Sequence, residues 1–498
     1  MSSPVTSTST IPDSDGQAVV GSETEQPPQP QKRSRVFDAS VWTMVGYVGS
    51  QVLRLGGNVV LSYWIAPSAF GLMTLVNIVV NGLNMFSDVG LGASIIQNDR
   101  GDDPTFRNTA WTVQTIRGVI LWLCACLLAW PASLFYEEPR LLWLIPAVAI
   151  SALISGFDST SLFTVRRHLQ FGRLTILELS AQAIGVFVML TWAWISPNVI
   201  ALVAGSLVTA LVKMVASHFF IAGAGNRFQW DSEAFTSLIH FGKWIFISTI
   251  ITFFAEQSDR LVLGKLVSMD ALGVYGFGFA IGVLPLMLLS RLSTSVVVAH
   301  LAQAYRAARD SMRHQLFAAR EILLPLAVFI VLGVVLEAES FFILLYSEEY
   351  HGAGPIAQLL SAWVWPMILS YTLNGALLAT GDSRSLAVHN LGTFLGTVVA
   401  SITGFYLAGI SGFIVGMAVG ALCGYLVIQV CLSGHGINSV HQDLRFTFYL
   451  GALAFPSLWL ADYVSQFGPW FDQFVRVPVL IAVGLWALHR LRGLWHLR

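Results

Sequence analysis

Apolar runs of about 20 residues recur along almost the whole of this 498-residue chain, and each is long enough to cross a bilayer as a helix. In hydrocarbon no water can satisfy backbone N–H and C=O groups, so such runs fold as helices that pair their own backbone. Composition agrees. The chain is 55% hydrophobic and 11% charged, whereas a soluble domain carries about 25% charge. The expected fold class is an all-α polytopic membrane protein. Hydropathy predicts fourteen spans, at about 39–63, 70–95, 109–134, 141–163, 174–195, 198–222, 241–265, 272–301, 321–346, 354–379, 386–407, 409–433, 446–464 and 472–490.

Lysine and arginine set the expected orientation. With the N-terminus inside, the inside segments hold 19 of the 27 basic residues and the outside segments hold three, Arg140, Lys265 and Arg476. The positive-inside rule then puts both termini in the cytoplasm. Residues 1–35 are rich in Ser, Thr, Pro and Gln and read as a disordered cytoplasmic tail. An internal repeat divides the rest. An offset of 202 lays Trp42 on Trp244, Val60 on Val262, Leu61 on Leu263, Ala69 on Ala271 and Gly71 on Gly273. Six spans separate equivalent points, so both halves share one orientation. A pseudo-twofold along the membrane normal should relate them, with a pathway between. The expected units are a six-helix bundle at 36–225, a cytoplasmic linker at 226–240, a second bundle at 241–433, and two extra peripheral helices with a short cytoplasmic tail at 434–498.

Charges inside spans are the candidate functional groups, because each costs roughly 2.5–3.5 kcal/mol at a helix centre on insertion scales. Span 7 holds Glu256, Asp259 and Arg260. Glu256 and Arg260, four apart, share a helix face. They read either as an ion pair that eases insertion or as a lumen cluster for cargo or a coupling ion. Arg54 and Asn58 lie on the equivalent helix of the first half, and the offset lays Arg54 on Glu256, so the two can pair in one conformation and part in another. Arg291 snorkels or faces the lumen. Asp88 is too short to snorkel and should be paired or hydrated. Glu178 and Lys213 can be partners, although no spacing joins them. Gly412, Gly416, Gly420 and Gly424 form a small-residue face for close helix packing. The four cysteines lack metal-site spacing and read as apolar residues. No phosphate-binding loop, zinc-protease motif or nucleic-acid module occurs, so neither an enzyme nor a nucleic-acid partner is expected, and no cofactor.

Several segments resemble one family: Phe86–Gln97 (FSDVGLGASIIQ), Arg107–Trp111 (RNTAW), Arg166–Phe171 (RRHLQF), Leu202–Val208, Asp259–Gly264 and Ala271–Tyr275. In order and spacing they resemble the Wzx-type polysaccharide exporters, the lipid-linked oligosaccharide flippases of the multidrug/oligosaccharidyl-lipid/polysaccharide superfamily. The resemblance implies two facing six-helix bundles and transfer of an undecaprenyl-diphosphate-linked glycan across the bacterial inner membrane by alternating access. An anionic diphosphate suits arginine, which stays charged and binds phosphate oxygens bidentately. The lumen candidates are then Arg54, Arg260, Arg291 and Lys213. Glu256, Asp259, Asp88 and Glu178 would pair with them or carry a coupling H⁺ or Na⁺. Membrane lipids, a polysaccharide polymerase and export machinery are the implied partners. The rival readings are an ion-coupled small-molecule antiporter of the same architecture and a non-transporting membrane scaffold.

Overall fold

The computed structural model describes residues 30–87, 90–220, 225–292, 309–380, 382–467 and 471–492, and all their regular structure is helical. The first half comprises α1 (Pro30–Ser62), α2 (Pro67–Phe86), α3 (Leu91–Gln97), α4 (Pro104–Phe135), α5 (Leu141–Gly156), α6 (Ser161–Arg167), α7 (Phe171–Ile195) and α8 (Val199–Phe219). The second comprises α9 (Ser232–Leu266), α10 (Met269–Gly282), α11 (Leu284–Leu292), α12 (Arg309–Leu345), α13 (Ala353–Thr380) and α14 (Ser383–Ser433). The last two helices are α15 (Val440–Ser465) and α16 (Gln473–Arg492).

Polar residues between the apolar runs supply the helix starts. Asp103, Asn198, Asp231 and Ser268 each accept a backbone N–H of the helix they precede, at α4, α8, α9 and α10. Among the described residues nine helices are long and apolar enough to cross a membrane, or up to eleven if each of two bent pairs is one span. The expected fourteen and these eleven differ at three places. Neither α1 nor α9 is among those eleven; the side chains of residues 237–248, within and before the expected span 241–265, lie outside the described residues. The 51-residue α14 covers two expected spans and breaks at Ala408–Gly409, where Gly409 takes φ +61°. The glycine face of its second limb meets the first limb: a Cβ on Gly416 would lie 2.2 Å from the Ala400 carbonyl oxygen, and one on Gly420 2.3 Å from Thr397 Cα.

The expected span 141–163 is broken. Its two pieces, α5 and α6, meet at 64°. A break leaves helix-end carbonyls without intrahelical donors. Here α4 supplies them: Gln114 Nε2 donates to the carbonyls of Ser155 (3.2 Å), Gly156 (3.2 Å) and Asp158 (3.0 Å). Thr115 adds a bond to Gly156 at 3.2 Å. A second bend of 40° divides α10 from α11.

The halves meet where α2 crosses α10. A Cβ on Gly71 would lie 2.0 Å from the Met269 carbonyl oxygen, and one on Gly273 would lie 2.0 Å from that of Pro67. Gly71 and Gly273 are 202 apart, and so are Pro67 and Met269. The contact is therefore reciprocal at the offset of the sequence repeat. Flanking bonds close the same end of the molecule. Tyr350 donates to the Ile65 carbonyl (2.6 Å), and Lys265 pairs with Glu137 (2.7 Å). We call this the turn end, and the end holding residues 225–231 the linker end.

The pair α15–α16 packs on α12, with most of its surface exposed. Polar clusters fasten it at both ends. Arg320 of α12 pairs with Asp443 of α15 near the linker end. At the turn end Arg476 pairs with Asp472 (3.2 Å) and donates to Ser340 Oγ (2.8 Å).

Candidate functional site: polar faces between the halves

Helix α1 presents its small residues to α7. Gly46, Gly49 and Gly57 lie against Thr175, Leu179 and Val186. Another face carries Tyr47, Gln51, Arg54 and Asn58, spaced four, three and four apart, so they form one polar stripe. Tyr47 hydroxyl approaches Met287 Sδ of α11 at 3.8 Å, which points the stripe at the second half. Arg54 is exposed and within electrostatic reach of Tyr346 at the end of α12.

The counterpart on α9 is differently built. Arg260 donates to Gln257 Oε1 at 3.0 Å and its guanidinium lies 4.2 Å from the centre of the Phe279 ring. Phe279 in turn leans on Trp363, with ring centres 5.8 Å apart. A guanidinium offers five N–H donors, so one bond and one ring contact orient Arg260 and leave donors for an acceptor. Glu256 is exposed, within electrostatic reach of Arg260 and of Tyr371 on α13. Among the described residues no ion pair joins Arg54 to Glu256, or Glu256 to Arg260.

The other expected residues sit elsewhere. Asp259 is buried and accepts the Tyr275 hydroxyl at 2.8 Å, so it faces α10 rather than an open path. Lys213 does not pair with Glu178. It binds Asp158 at 3.1 Å, in the bend between α5 and α6, while Glu178 binds Arg166 at 3.1 Å. Lys213 thus neutralises the broken span of its own half. Asp88 lies outside the described residues, as does the side chain of Arg291. The structure adds Tyr47, Gln51 and Tyr371, which sequence reading missed. The spacing of Tyr47 and Gln51 to Arg54 was a readable signal; Tyr371 gave none.

Three of the family-like segments, those at α3, at the start of α4 and at the end of α6, meet at the linker end and hold it together. Arg167 Nη1 donates to the carbonyls of Ile95 (3.0 Å), Ile96 (3.0 Å) and Asn98 (2.6 Å), covering the end of α3. Arg167 also pairs with Asp102 at 3.2 Å. Asn108 and Thr112 clasp the linker: Asn108 bonds the Arg227 amide (3.2 Å) and Gln229 side chain (3.1 Å), and Thr112 bonds the Gln229 carbonyl (3.0 Å). Trp111 packs on Phe228, ring centres 4.7 Å apart. Arg100 pairs with Asp103 (3.1 Å), Asp231 (3.0 Å) and Glu233 (3.3 Å).

Two expectations follow. Asn108→Ala should lower amide-exchange protection across residues 225–231 by about tenfold, because two partners lose their bonds at about 1 kcal/mol or more. Protection equal to wild type would mean that the clasp is dispensable. Acid should loosen the same linker. The Thr105 amide holds the Asp103 carboxyl below the usual range, and the Arg100 guanidinium does so for Asp231. A depressed folded pKa gives stability above the unfolded value that is lost as pH falls through the folded one. Loosening is therefore expected below about pH 4 and not between 5 and 8, read as protection corrected for intrinsic exchange.

Long apolar helices, and two halves joined by a reciprocal glycine contact, define a polytopic helical membrane protein. The chain belongs to the polysaccharide biosynthesis protein family, whose profile matches residues 60–355. It is 22% identical over 402 residues to the lipopolysaccharide biosynthesis protein WzxC of Escherichia coli, covering 80% of this chain and 79% of that one. It is 21% identical to the teichuronic acid biosynthesis protein TuaB of Bacillus subtilis, covering 80% and 82%. In fold it is similar to the lipid II flippase MurJ in an inward closed conformation, with TM-score 0.65 at 11% identity over 90% of this chain and 98% of that one. An inward-facing multidrug resistance transporter of the MATE family and MOP superfamily gives TM-score 0.58 at 14% identity, covering 77% and 95%. These findings agree with the resemblance carried by the motifs.

Proposed function

We propose that this protein moves a lipid-linked oligosaccharide repeat unit, carried on undecaprenyl diphosphate, from the cytoplasmic to the outer leaflet of a bacterial inner membrane. The observation that carries the reading is the pair of polar faces on α1 and α9, helices related by the 202-residue repeat, with exposed Arg54 on one and ring-stacked Arg260 on the other. Arginine is suited to diphosphate oxygens, and an oriented guanidinium loses less freedom on binding. The linker end, with its arginines, faces the cytoplasm, and both termini lie there. The halves rock so that the polar faces open to one side at a time, while the lipid tail stays in the bilayer. Glu256 is the candidate for a coupling H⁺ or Na⁺. The chain itself does no covalent chemistry, and a polymerase acting on the product would give the transfer its direction.

The test is a leaflet assay in the host. Depletion should make newly labelled lipid-linked sugar accumulate on the cytoplasmic face, and wild type should clear it. Arg260→Ala at matched expression should clear it at least about tenfold more slowly, the scale of one charged hydrogen bond. Clearance by Arg260→Ala at the wild-type rate would discard this site. No accumulation on depletion, in a host without a second exporter, would replace the flippase reading with the antiporter.

A further inference from the structure

We infer that a cavity at the linker end of the first half binds the headgroup of a phospholipid that carries both a phosphate and a primary ammonium, drawn from the adjacent leaflet. The cavity has a volume of about 580 Å³ and is lined by Asp38 and Trp42 of α1 and by residues 168–173, which join α6 to α7. Its size lies within the roughly 300–1,000 Å³ of small-molecule sites.

Its chemistry is dipolar. Asp38 and Trp42 are four apart and share one face of α1, and Arg173 and His168 lie on the opposing wall. His168 is itself held by Asp102, with Nε2 3.1 Å from the carboxylate. The indole of Trp42 lies against the start of α7, where a Cβ on Gly172 would come within 3.1 Å of the ring. Glycine at 172 leaves room for the ring beside the cavity. A tryptophan at a span end is a common interfacial anchor, and an aromatic face also attracts ammonium groups. A carboxylate, an aromatic face and a guanidinium around one space match a headgroup that carries opposite charges a few ångströms apart. A purely anionic headgroup would meet Asp38 as a like charge. A quaternary ammonium would give Asp38 no N–H to accept.

The position separates this site from the proposed cargo path. Its walls are α1 and the α6–α7 junction, all of the first half. They are held together by Thr175, which donates to the Trp42 carbonyl at 3.2 Å, and not by the polar stripe that faces the second half. The site would seat a structural lipid at the edge of a moving half.

The test uses the full chain, purified in detergent and presented with equimolar phosphatidylethanolamine, phosphatidylglycerol and phosphatidylcholine, and reads retained lipid by native mass spectrometry. Wild type should retain phosphatidylethanolamine about three- to fivefold over each of the others, the scale of exposed ionic contacts. Arg173→Ala should remove that preference. Asp38→Asn should raise phosphatidylglycerol to parity with phosphatidylethanolamine. Soluble phosphorylethanolamine at the same concentration should give no adduct; an adduct equal to the lipid's would move the ligand into solution and overturn the assignment. Equal retention of all three lipids by wild type would also overturn it, as would an unchanged preference in both variants. Matching thermal midpoints for wild type and variants guard against misfolding, and Trp42→Ala, which keeps both charges, should weaken retention without changing the order of preference.

Discussion

Asp443→Ala is expected to destabilise the folded protein by about 3–5 kcal/mol, the cost of leaving a buried charge without its partner. Arg320 is fully buried at 0% exposure, and Asp443 is almost so. The two are paired, and the second Asp443 oxygen accepts Tyr425 (2.9 Å), Gln429 (2.8 Å) and Ser439 (2.8 Å). The Arg320 Nε and Nη1 groups have no partner among the described residues. Removing Asp443 therefore leaves a buried guanidinium without its ion-pair partner, and three donors lose their acceptor as well. The loss falls on one seam, because Arg320 belongs to α12, Tyr425 and Gln429 to α14, and Asp443 to α15. Denaturant titration in detergent, read by tryptophan emission, should show it. The double variant Arg320→Met/Asp443→Leu should recover most of the loss, since buried ion pairs replaced by apolar pairs are often neutral. Recovery stays incomplete because the Tyr425 and Ser439 hydroxyls lose their carboxylate acceptor, although Gln429 keeps its bond to Ser439 Oγ (2.7 Å). Wild-type stability in Asp443→Ala, or no rescue in the double variant, would mean that the network does not hold α15 to the bundle.

That network also marks where sequence reading stops. Arg320 reads naturally as one of four arginines between spans 8 and 9, following the positive-inside rule. What decides its role is Asp443, 123 residues away, and no spacing rule joins them. Lys213 failed for the same reason. It sits in an apolar run like a lumen cation, but its partner Asp158 belongs to a span whose break the hydropathy profile does not show. Local chemistry, by contrast, was legible. The helix starts at Asp103, Asn198, Asp231 and Ser268 stand between the apolar runs. The glycine face of residues 412–424 has the packing role its spacing implies, and the reciprocal contact of Gly71 with Gly273 falls at the offset the repeat gave. For the proposed site, the stripe spacing of Arg54 was legible and the stacking of Arg260 on Phe279 was not, because a ring contact between two helices leaves no trace in either one.

Gly71→Val should open the turn end. The Cβ alone would lie 2.0 Å from the Met269 carbonyl oxygen, and the obstacle is backbone, which cannot rotate away as a side chain would. The helices must separate. Overpacking of this kind costs about 1–3 kcal/mol, which shifts a two-state equilibrium by roughly 5- to 150-fold. The substitution penalises only the closed arrangement of α2 on α10, so it acts as a bias on conformation rather than on folding. A cysteine placed by Leu75→Cys in a cysteine-free background reports the change. Leu75 is buried at 1% exposure, one turn deeper on α2 and against Gly264. Labelling from the turn end by a membrane-impermeant maleimide should be at least about tenfold faster with Gly71→Val, and clearance in the leaflet assay should fall in parallel. Lys265→Ala removes a partly exposed ion pair of the same end, and its effect should stay within about 1 kcal/mol. The reciprocity of the contact sharpens the test. Gly273→Val puts the same group against Pro67 from the other half, so it must speed labelling by a similar factor. If Gly71→Val acts and Gly273→Val does not, the two glycines do not form one seal. If both proteins fold and label at the wild-type rate, the crossing of α2 and α10 does not gate access at this end.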